Sequence, residues 1–310
     1  MLRYRSRAAF ALPIIVSTLF LGARRVHADA APVPLLVDAG WLAQHYRDAD
    51  VVLLHVGSRS EYDKEHIPGA RYIELSDIST PDARDGSALT LEFPAAEKLR
   101  ATFAGLGISD NTHIVVDYGN DWVTPATRVV HTLNFIGLGD HTSLLDGGMQ
   151  TWKKASNPVT ADVTVISSKG NLSSRATKNV TATGEFVYEH RNVKTVKVVD
   201  ARARTFYDGA PTDGKQRNGH IAGAVSLPFN TLTDDSNRWL PKETLASRFR
   251  EAGISPSDEI IVYCHIGQQG TAVVFAGRLL GYNIRLYDGS FQDWDRHAAW
   301  PVVNPAAAGK

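Results

Sequence analysis

The chain contains the same short motifs twice and in the same order, and this internal repeat limits the folds open to it more than any other feature. An HIPGA motif at His66–Ala70 matches an HIAGA motif at His220–Ala224. A DGG motif followed by a tryptophan, Asp146–Trp152, matches a DGS motif and tryptophan at Asp288–Trp294. These pairs lie 142 to 154 residues apart, so we interpret the chain as a duplicated domain. Its 310 residues accommodate two domains of about 130 residues each.

Both copies show the alternation of strands and helices that is typical of α/β domains. Short apolar runs rich in β-branched residues are expected to form buried strands: Val51–Leu54, His113–Val116, Val196–Val199 and Ile260–Tyr263. Amphipathic stretches are expected to form helices: Ala95–Leu106, Thr127–Ile136, Lys242–Ala252 and Thr271–Leu280. This order predicts two tandem domains, each a mainly parallel sheet flanked by helices.

We place the first domain at residues 31–156 and the second at residues 185–306. Residues 157–184 are rich in Ser, Thr, Asn and Lys and show little periodicity. Such a segment predicts a connector between the domains that crosses the surface of the first one.

Residues 1–30 have the pattern of a secretory signal peptide. Three arginines among the first seven residues precede an apolar run, Ala8–Ala23, and cleavage is expected after Ala28 or Ala30. The run is short for a membrane span, although an uncleaved anchor is the alternative. The pattern predicts a periplasmic or secreted chain with no stable membrane insertion after cleavage. The formal net charge of zero gives no bulk attraction to nucleic acid or to anionic membranes.

Cys264 is the single cysteine of the chain, so an internal disulfide is excluded. It follows the predicted strand Ile260–Tyr263 and opens a loop into a predicted helix, at the sheet edge where open α/β sheets bind ligands. Gly267 and Gly270 allow the loop N–H groups to converge, and the positive end of the helix further stabilises an anion. A lone cysteine is usually a small buried hydrophobe, but this position favours a nucleophilic thiolate.

The first copy provides an internal control for this interpretation. It has Val116-Asp117-Tyr118 where the second copy has Val262-Tyr263-Cys264, so it lacks a thiol and cannot perform the same chemistry. We expect the first domain to form a wall of the cleft instead. Trp122 and Arg128 are candidates for lining it, and a structural role is the favoured interpretation of both.

Together these features resemble the tandem rhodanese family, in its exported bacterial form. The resemblance rests on Cys264 before a glycine-containing loop, on the motif Asp200-Ala201-Arg202, and on the duplicated motifs described above. It implies a sulfurtransferase that moves a sulfane sulfur from thiosulfate, or a related donor such as 3-mercaptopyruvate, to a thiophilic acceptor such as cyanide or a thiol. In the family's mechanism Cys264 would carry the sulfur as a persulfide, without a metal or organic cofactor. A protein is a possible sulfur acceptor.

The resemblance also assigns substrate binding to the loop after Cys264, which consists of His265, Ile266, Gly267, Gln268, Gln269 and Gly270. His265 and Ile266 replace the basic pair of thiosulfate-type loops and the Gly and Ser of mercaptopyruvate-type loops. His265 is expected to supply a hydrogen-bond donor or a pH-dependent charge, or else to face solvent.

Two arginines outside the loop are further candidates for binding the donor. The family's substrate-binding arginine falls on Phe206, which leaves Arg204 as the expected substitute. Arg202 is the second candidate, and a structural ion pair is favoured for it. The extra segment Asp208–Gly219 could attract anions through its basic residues, although a solvated surface loop is favoured. No tight metal-ligand spacing occurs among the histidines, so no metal is expected.

Two other functions share a nucleophilic cysteine on a comparable scaffold. A cysteine-dependent phosphatase needs an arginine six residues after the nucleophile, where this chain has Gly270. A non-catalytic persulfide carrier or binding module that serves a protein partner stays open as the alternative to an enzyme.

Overall fold

The computed structural model describes residues 33–81, 87–119, 123–174, 177–212, 214 and 216–307. The predicted leader at residues 1–30 lies outside the described residues, as do Trp122 and Lys215. Within the described part of the chain, no helix is both long and apolar enough to cross a bilayer.

The first domain is built on a five-stranded parallel sheet with the order β1-β5-β4-β2-β3. Its strands are β1 (Leu36–Val37), β2 (Val51–Val56), β3 (Arg71–Ile73), β4 (His113–Tyr118) and β5 (Thr142–Leu145). Its helices are α1 (Ala39–His45), α2 (Arg59–Lys64), α3 (Ala96–Gly105), α4 (Val123–Phe135) and α5 (Gly148–Lys154), with 3₁₀ turns at Leu75–Ile78 and Gly139–His141.

The second domain repeats this topology, with the sheet order β6-β11-β10-β7-β9 and all strands parallel. Its strands are β6 (Thr181–Ala182), β7 (Val196–Asp200), β8 (His220–Ile221), β9 (Val225–Ser226), β10 (Glu259–Tyr263), β11 (Asn283–Tyr287) and β12 (Val302–Val303), of which β8 and β12 form a separate antiparallel pair. Its helices are α6 (Gly184–His190), α7 (Arg204–Tyr207), α8 (Lys242–Glu251), α9 (Gly270–Leu279) and α10 (Ser290–Arg296), with 3₁₀ turns at Phe229–Thr231 and Pro305–Ala307.

The repeated histidine motifs have the same structural role in both domains. His66 bonds through Nδ1 to the carbonyl of Tyr62 at 2.7 Å and stacks on the Tyr62 ring. His220 bonds to the carbonyl of Tyr207 at the same distance and stacks on the Tyr207 ring. Each histidine thus ties a sheet-edge turn to the short helix that precedes it, which explains why the motif recurs.

The central strands are buried because helices cover both faces of each sheet. In β4 and β10 every residue after the first is buried, as expected for parallel strands enclosed on both faces. The predicted helices agree closely with α3, α4, α8 and α9. Helix α4 begins at Val123 rather than at Thr127, and Pro125 lies in its first turn, where a missing N–H removes no helical hydrogen bond.

The segment 157–184 binds first to the surface of the first domain and then enters the second sheet. Thr160 exchanges backbone hydrogen bonds with His66, and the N–H of Gly170 donates to the carbonyl of Ala104. Thr181–Ala182, which lie within the predicted connector, form the edge strand β6 beside β11. The connector proper is therefore shorter than the polar composition of the segment implies.

Helices α4 and α9 form the seam between the two domains. Each follows the central strand of its own sheet, so the duplication relates one to the other. Val129 and Leu133 of α4 and Val273 of α9 belong to one continuous apolar core that extends through both domains. The loop that follows Cys264 leads directly into α9. Because α4 packs against α9, the seam brings the first domain against that loop.

Candidate active site

Cys264 lies directly after β10, fully buried at the carboxyl edge of the second sheet. Its N–H donates to Ser290 Oγ at 3.1 Å, and its carbonyl accepts the N–H of Phe291 at 3.0 Å. Ser290 Oγ lies 4.0 Å from Cys264 Sγ. The start of α10 therefore holds the backbone of Cys264 from one side and places a hydroxyl close to its sulfur.

The loop between Cys264 and α9 combines a left-handed glycine with a right-handed residue just before the helix. Gly267 has φ +81°, a left-handed conformation, and Gln269 is right-handed helical. Gly270 begins α9, and a Cβ at this position would lie 2.9 Å from Leu286 Cδ1 of β11, so the helix approaches the sheet closely because the residue is glycine. The first turn of α9 carries no acidic side chain, which leaves the positive end of the helix available to an anion.

The strand register identifies Tyr118 as the counterpart of Cys264. His55 of β2 pairs with Asp117 of β4, and Asp200 of β7 pairs with Tyr263 of β10. The next residue along the chain is Tyr118 after Asp117 and Cys264 after Tyr263, so these two residues occupy equivalent positions. The prediction that the first domain has no thiol at this position therefore agrees with the pairing.

Ser290 and Gly148 occupy equivalent places and share a left-handed backbone, with φ +53° and +52°. A Cβ at Gly148 would lie 2.9 Å from Cδ2 of Tyr118, so only glycine fits beside the tyrosine ring. The smaller Cys264 leaves room for a side chain, and the second domain has Ser290 there despite the backbone strain of a non-glycine residue. The sequence motif contains this serine, but its contact with Cys264 joins residues 26 apart and has no signal in the sequence.

Arg202 is a buried ion-pair partner of Asp200. Its side chain is fully buried, and Nη2 donates to Asp200 Oδ2 at 2.6 Å and to the carbonyl of Gly219 at 2.7 Å. The guanidinium lies 4.2 Å from the ring centroid of Phe291, and Tyr263 Oη donates to the same carboxylate at 2.7 Å. Burial alone would lower the pKa of Arg202, but the hydrogen bonds and charge of Asp200, with smaller contributions from Tyr263 and Cys264, raise it. The structure thus gives Arg202 the ion pair that we favoured, within electrostatic reach of Cys264.

Arg204 lies at the surface of α7. Its Nε bonds to Asp208 at 3.0 Å, its guanidinium lies over the ring of Tyr207, and 64% of its side chain is exposed. Arg217 of the extra segment pairs with Asp295 at 2.6 Å and bonds to the carbonyls of Trp294 and Trp300. Arg204 is therefore an exposed cation paired through Nε alone, and Arg217 is tied to the second domain, in keeping with the surface-loop interpretation of the extra segment.

His265 is half-buried under the extra segment and is uncharged near neutral pH. Its Nδ1 lies 3.1 Å from Gln216 Oε1, and its ring meets Phe206 edge to face at 4.7 Å. Burial, with the nearby charge of Arg202, lowers the pKa of His265 to about 4. His265 therefore contributes a hydrogen-bonding group to the loop, and the pH-dependent charge that the sequence suggested is absent at physiological pH.

Replacing His265 with glutamine is expected to leave the pH–rate profile of the protein unchanged between about pH 6 and pH 8, because a neutral histidine has no proton to gain or lose there. Stability should behave differently. Below about pH 6.5 the unfolded chain protonates His265 while the folded chain does not, so this residue lowers stability as the pH falls from 6.5 toward 4. Urea unfolding at several pH values should show that loss in the wild type and a smaller one in His265→Gln. A pH–rate profile displaced by the substitution would contradict the assignment of a neutral histidine.

The remaining loop residues divide between the interior of the site and the domain seam. Gln268 Nε2 donates to Thr124 Oγ1 of α4 at 3.0 Å, so this side chain faces the first domain. Gln269 Oε1 is buried and has no hydrogen-bond partner within the described part of the chain. Ile266 is half-buried and adds an apolar side chain next to His265. The loop therefore offers backbone amides and neutral side chains to a substrate.

Arg128 of α4 reaches the loop from the first domain. Its side chain is fully buried, Nη1 donates to the carbonyl of Gly267 at 3.2 Å, and the same nitrogen pairs with Asp288. The sequence suggests Arg128 as a candidate for the cleft wall, with a structural role favoured. Its partners lie 139 and 160 residues away in the chain, so only the docking of the two domains reveals them.

A duplicated α/β scaffold that places one cysteine on a glycine-containing loop before a helix defines a class: tandem-domain proteins with a candidate catalytic thiol in the second domain. The family model described as "Rhodanese-like domain" matches residues 38–155 and again residues 183–297. The chain therefore belongs to the rhodanese-like family and contains two copies of its domain.

Known relatives extend over almost the whole chain. The chain is 30% identical over 296 residues to the thiosulfate sulfurtransferase of Mus musculus, covering 92% of each protein. It is 29% identical over 287 residues to the sulfur carrier protein TtuD of Thermus thermophilus, covering 87% of this chain and 96% of that protein. The crystal structure of SseA from Escherichia coli, described among 3-mercaptopyruvate sulfotransferases, has a TM-score of 0.72 and 25% identity, covering 83% of this chain and 99% of that one. These findings confirm the predicted fold and the predicted enzyme class, a sulfurtransferase.

Proposed function

We propose that the protein transfers a sulfane sulfur from a small donor, thiosulfate or 3-mercaptopyruvate, to a thiophilic acceptor through a persulfide on Cys264. The observation that carries this proposal is the position of the chain's single thiol. It sits on a glycine-containing loop before α9, while the equivalent position of the first domain holds Tyr118. Two copies of one scaffold thus differ at the atom that the chemistry needs.

With thiosulfate the reaction has two displacement steps. The Cys264 thiolate attacks the outer sulfur, a new S–S bond forms, and the S–S bond of thiosulfate breaks so that sulfite leaves with the bonding electron pair. Cyanide then attacks the terminal sulfur of the persulfide, a C–S bond forms, and the persulfide S–S bond breaks so that thiocyanate leaves and its bonding electron pair restores the Cys264 thiolate. Both steps carry negative charge on sulfur, which the loop amides and the N-terminus of α9 are arranged to stabilise.

The choice of donor follows from the relatives and from the charge of the loop. The mouse relative is named for thiosulfate, and the Escherichia coli structure is described with 3-mercaptopyruvate enzymes. In this chain His265 is neutral near pH 7, and Arg204 is paired with Asp208 at the surface. Anion binding would therefore depend on backbone amides more than on ionised side chains. We infer that the site does not strictly require a doubly charged donor.

Intact-mass measurement after incubation with each donor tests the proposal. We expect a gain of roughly 32 Da, one sulfur atom, that cyanide then removes with the release of thiocyanate. Comparing initial rates with thiosulfate and with 3-mercaptopyruvate assigns the donor. A protein whose mass stays unchanged with both donors, with no turnover of either, would refute the sulfur-transfer step.

A persulfide carrier serving a protein acceptor is the second candidate, because a relative of similar length is named as a sulfur carrier. This reading predicts that the mass gain forms but that cyanide and small thiols remove the sulfur slowly. Fast turnover with small acceptors would exclude it. We also propose, from the leader pattern, that the chain is exported and loses its leader by cleavage after Ala28 or Ala30.

A further inference from the structure

Arg128 connects three separate parts of the molecule although it belongs to the domain without a thiol. Its Nη1 donates to the carbonyl of Gly267 in the Cys264 loop and pairs with Asp288, which lies just before α10. Its Nη2 donates to the carbonyl of Leu91, and its guanidinium lies 4.1 Å from the ring centroid of Phe93. One fully buried side chain thus spans the loop, the turn before α10 and a segment of the first domain.

The bond to Gly267 determines how the loop presents its amides. In a trans peptide the C=O and the following N–H point in opposite directions. Because Arg128 draws the Gly267 carbonyl toward the first domain, the N–H of Gln268 is directed to the opposite side of that peptide, into the loop. Gly267 has φ +81°, and its neighbours are close: a Cβ there would lie 2.5 Å from the carbonyl oxygen of Asp288. The orientation of this peptide is therefore set by contacts with Arg128 and Asp288 together.

Helix α4 makes two further contacts with the same region. Thr124 Oγ1 accepts the side-chain N–H of Gln268 at 3.0 Å. The hydroxyls of Thr127 and Thr271 lie 2.7 Å apart in the middle of the seam. Arg128 is thus the charged member of a row of α4 side chains that follows the loop into the first turn of α9.

The duplication supplies an internal comparison that separates general domain docking from a role at the loop. Asp288 accepts the N–H of Phe93 at 3.3 Å, and its counterpart Asp146 accepts the N–H of Trp239 at 2.9 Å, so each domain braces the other in the same way. The arginines differ. Asp146 is approached by Arg238 at 3.7 Å, with 58% of that side chain exposed, whereas the arginine on the thiol side is fully buried.

We propose that Arg128 is a positioning residue for the Cys264 loop, so that the thiol-free domain completes the active site. The residue acts by orienting the Gly267–Gln268 peptide and does not touch the substrate. This inference rests on the proposed function for its kinetic readout, and a second readout, the reactivity of Cys264 itself, is independent of sulfur transfer.

The test compares Arg128→Lys and Arg128→Gln with Arg100→Gln. Arg100 is another buried arginine of the first domain, and it donates to the carbonyl of Ile136, the residue directly after α4. It is therefore a suitable control for a general loss of packing. In both Arg128 variants we expect persulfide formation at saturating donor to slow by at least about tenfold, because a small displacement of a reacting group is costly. The KM for the donor should change less than about twofold. Arg128→Lys, which keeps the charge, should retain more activity than Arg128→Gln.

Alkylation of Cys264 by iodoacetamide provides the second readout. We expect alkylation to be slower in both Arg128 variants than in Arg100→Gln, when the variants compared have similar melting temperatures. The reason is that misdirected amides stabilise the thiolate less. If the wild type transfers no sulfur, the proposed function fails while the alkylation comparison still tests Arg128. Wild-type kcat and alkylation rates in a folded Arg128→Lys protein would overturn the inference, as would equal losses in Arg100→Gln.

Discussion

In the Cys264→Ser protein we expect the rate of sulfur transfer to fall at least about a thousandfold. We also expect no mass gain of one sulfur atom, roughly 32 Da, with any donor. A serine hydroxyl remains protonated at neutral pH and cannot hold a sulfane sulfur as a persulfide. The chain has no other cysteine to replace the lost thiol. The substitution is nearly isosteric in a fully buried position, so the fold should be retained.

A matched variant separates the loss of the nucleophile from a disturbance of its surroundings. Ser290→Gly removes the hydroxyl that lies 4.0 Å from Cys264 Sγ, and glycine fits the backbone at φ +53°, as Gly148 does in the first domain. We expect this variant to keep the thiol and still to gain one sulfur, at a reduced rate. Cyanide-dependent thiocyanate release and intact mass measure both proteins. Sulfur transfer retained in Cys264→Ser would overturn the assignment of the nucleophile.

The Arg202→Ala protein is expected to unfold with a free energy lower by about 3–5 kcal/mol, because it leaves the carboxylate of Asp200 buried without its cation. Asp200 is fully buried and accepts three hydrogen bonds from the Arg202 side chain together with the Tyr263 hydroxyl. Removing the guanidinium also removes the donor to the carbonyl of Gly219. Urea unfolding at neutral pH, followed by far-UV circular dichroism, measures the loss.

Arg204→Ala is the matched control for Arg202→Ala, since it removes an arginine two residues away. Its ion pair with Asp208 is solvent-exposed, so the change in unfolding free energy should be about 0.5 kcal/mol or less. In the double variant Asp200→Asn/Arg202→Met neither of these two positions carries a buried charge, and stability should recover in part. If Arg202→Ala and Arg204→Ala lowered the free energy of unfolding equally, the buried ion pair would contribute no more to stability than the exposed one.

The elements of local structure were predictable because their signals lie within short stretches of sequence. The strand runs and amphipathic stretches agree with β2, β4, β7, β10 and the four helices, and the position of Cys264 follows from the strand before it and the glycines after it. The first turn of α4 was not predicted because it contains Pro125, and proline is compatible with a helix start as well as with a loop. The edge strand β6 escaped notice because a two-residue strand has no periodicity to detect.

The contacts that complete the site were not predictable, because they join residues far apart in the chain. Arg128 meets Gly267, Gln216 meets His265, and neither pair has a spacing or pattern that indicates a contact. The loss of charge on His265 likewise depends on burial beneath the extra segment and on the nearby Arg202.

By itself the sequence determined the duplication, the α/β class, the identity of the one thiol and its place between a buried strand and a helix. These properties depend on periodicity, residue type and order along the chain. The tertiary structure alone decided which groups surround that thiol and its loop, including the serine hydroxyl from α10, the buried ion pair of Arg202 and the arginine that the thiol-free domain contributes to the loop. Burial and domain docking select those partners, and both arise only when segments distant in sequence pack into one core.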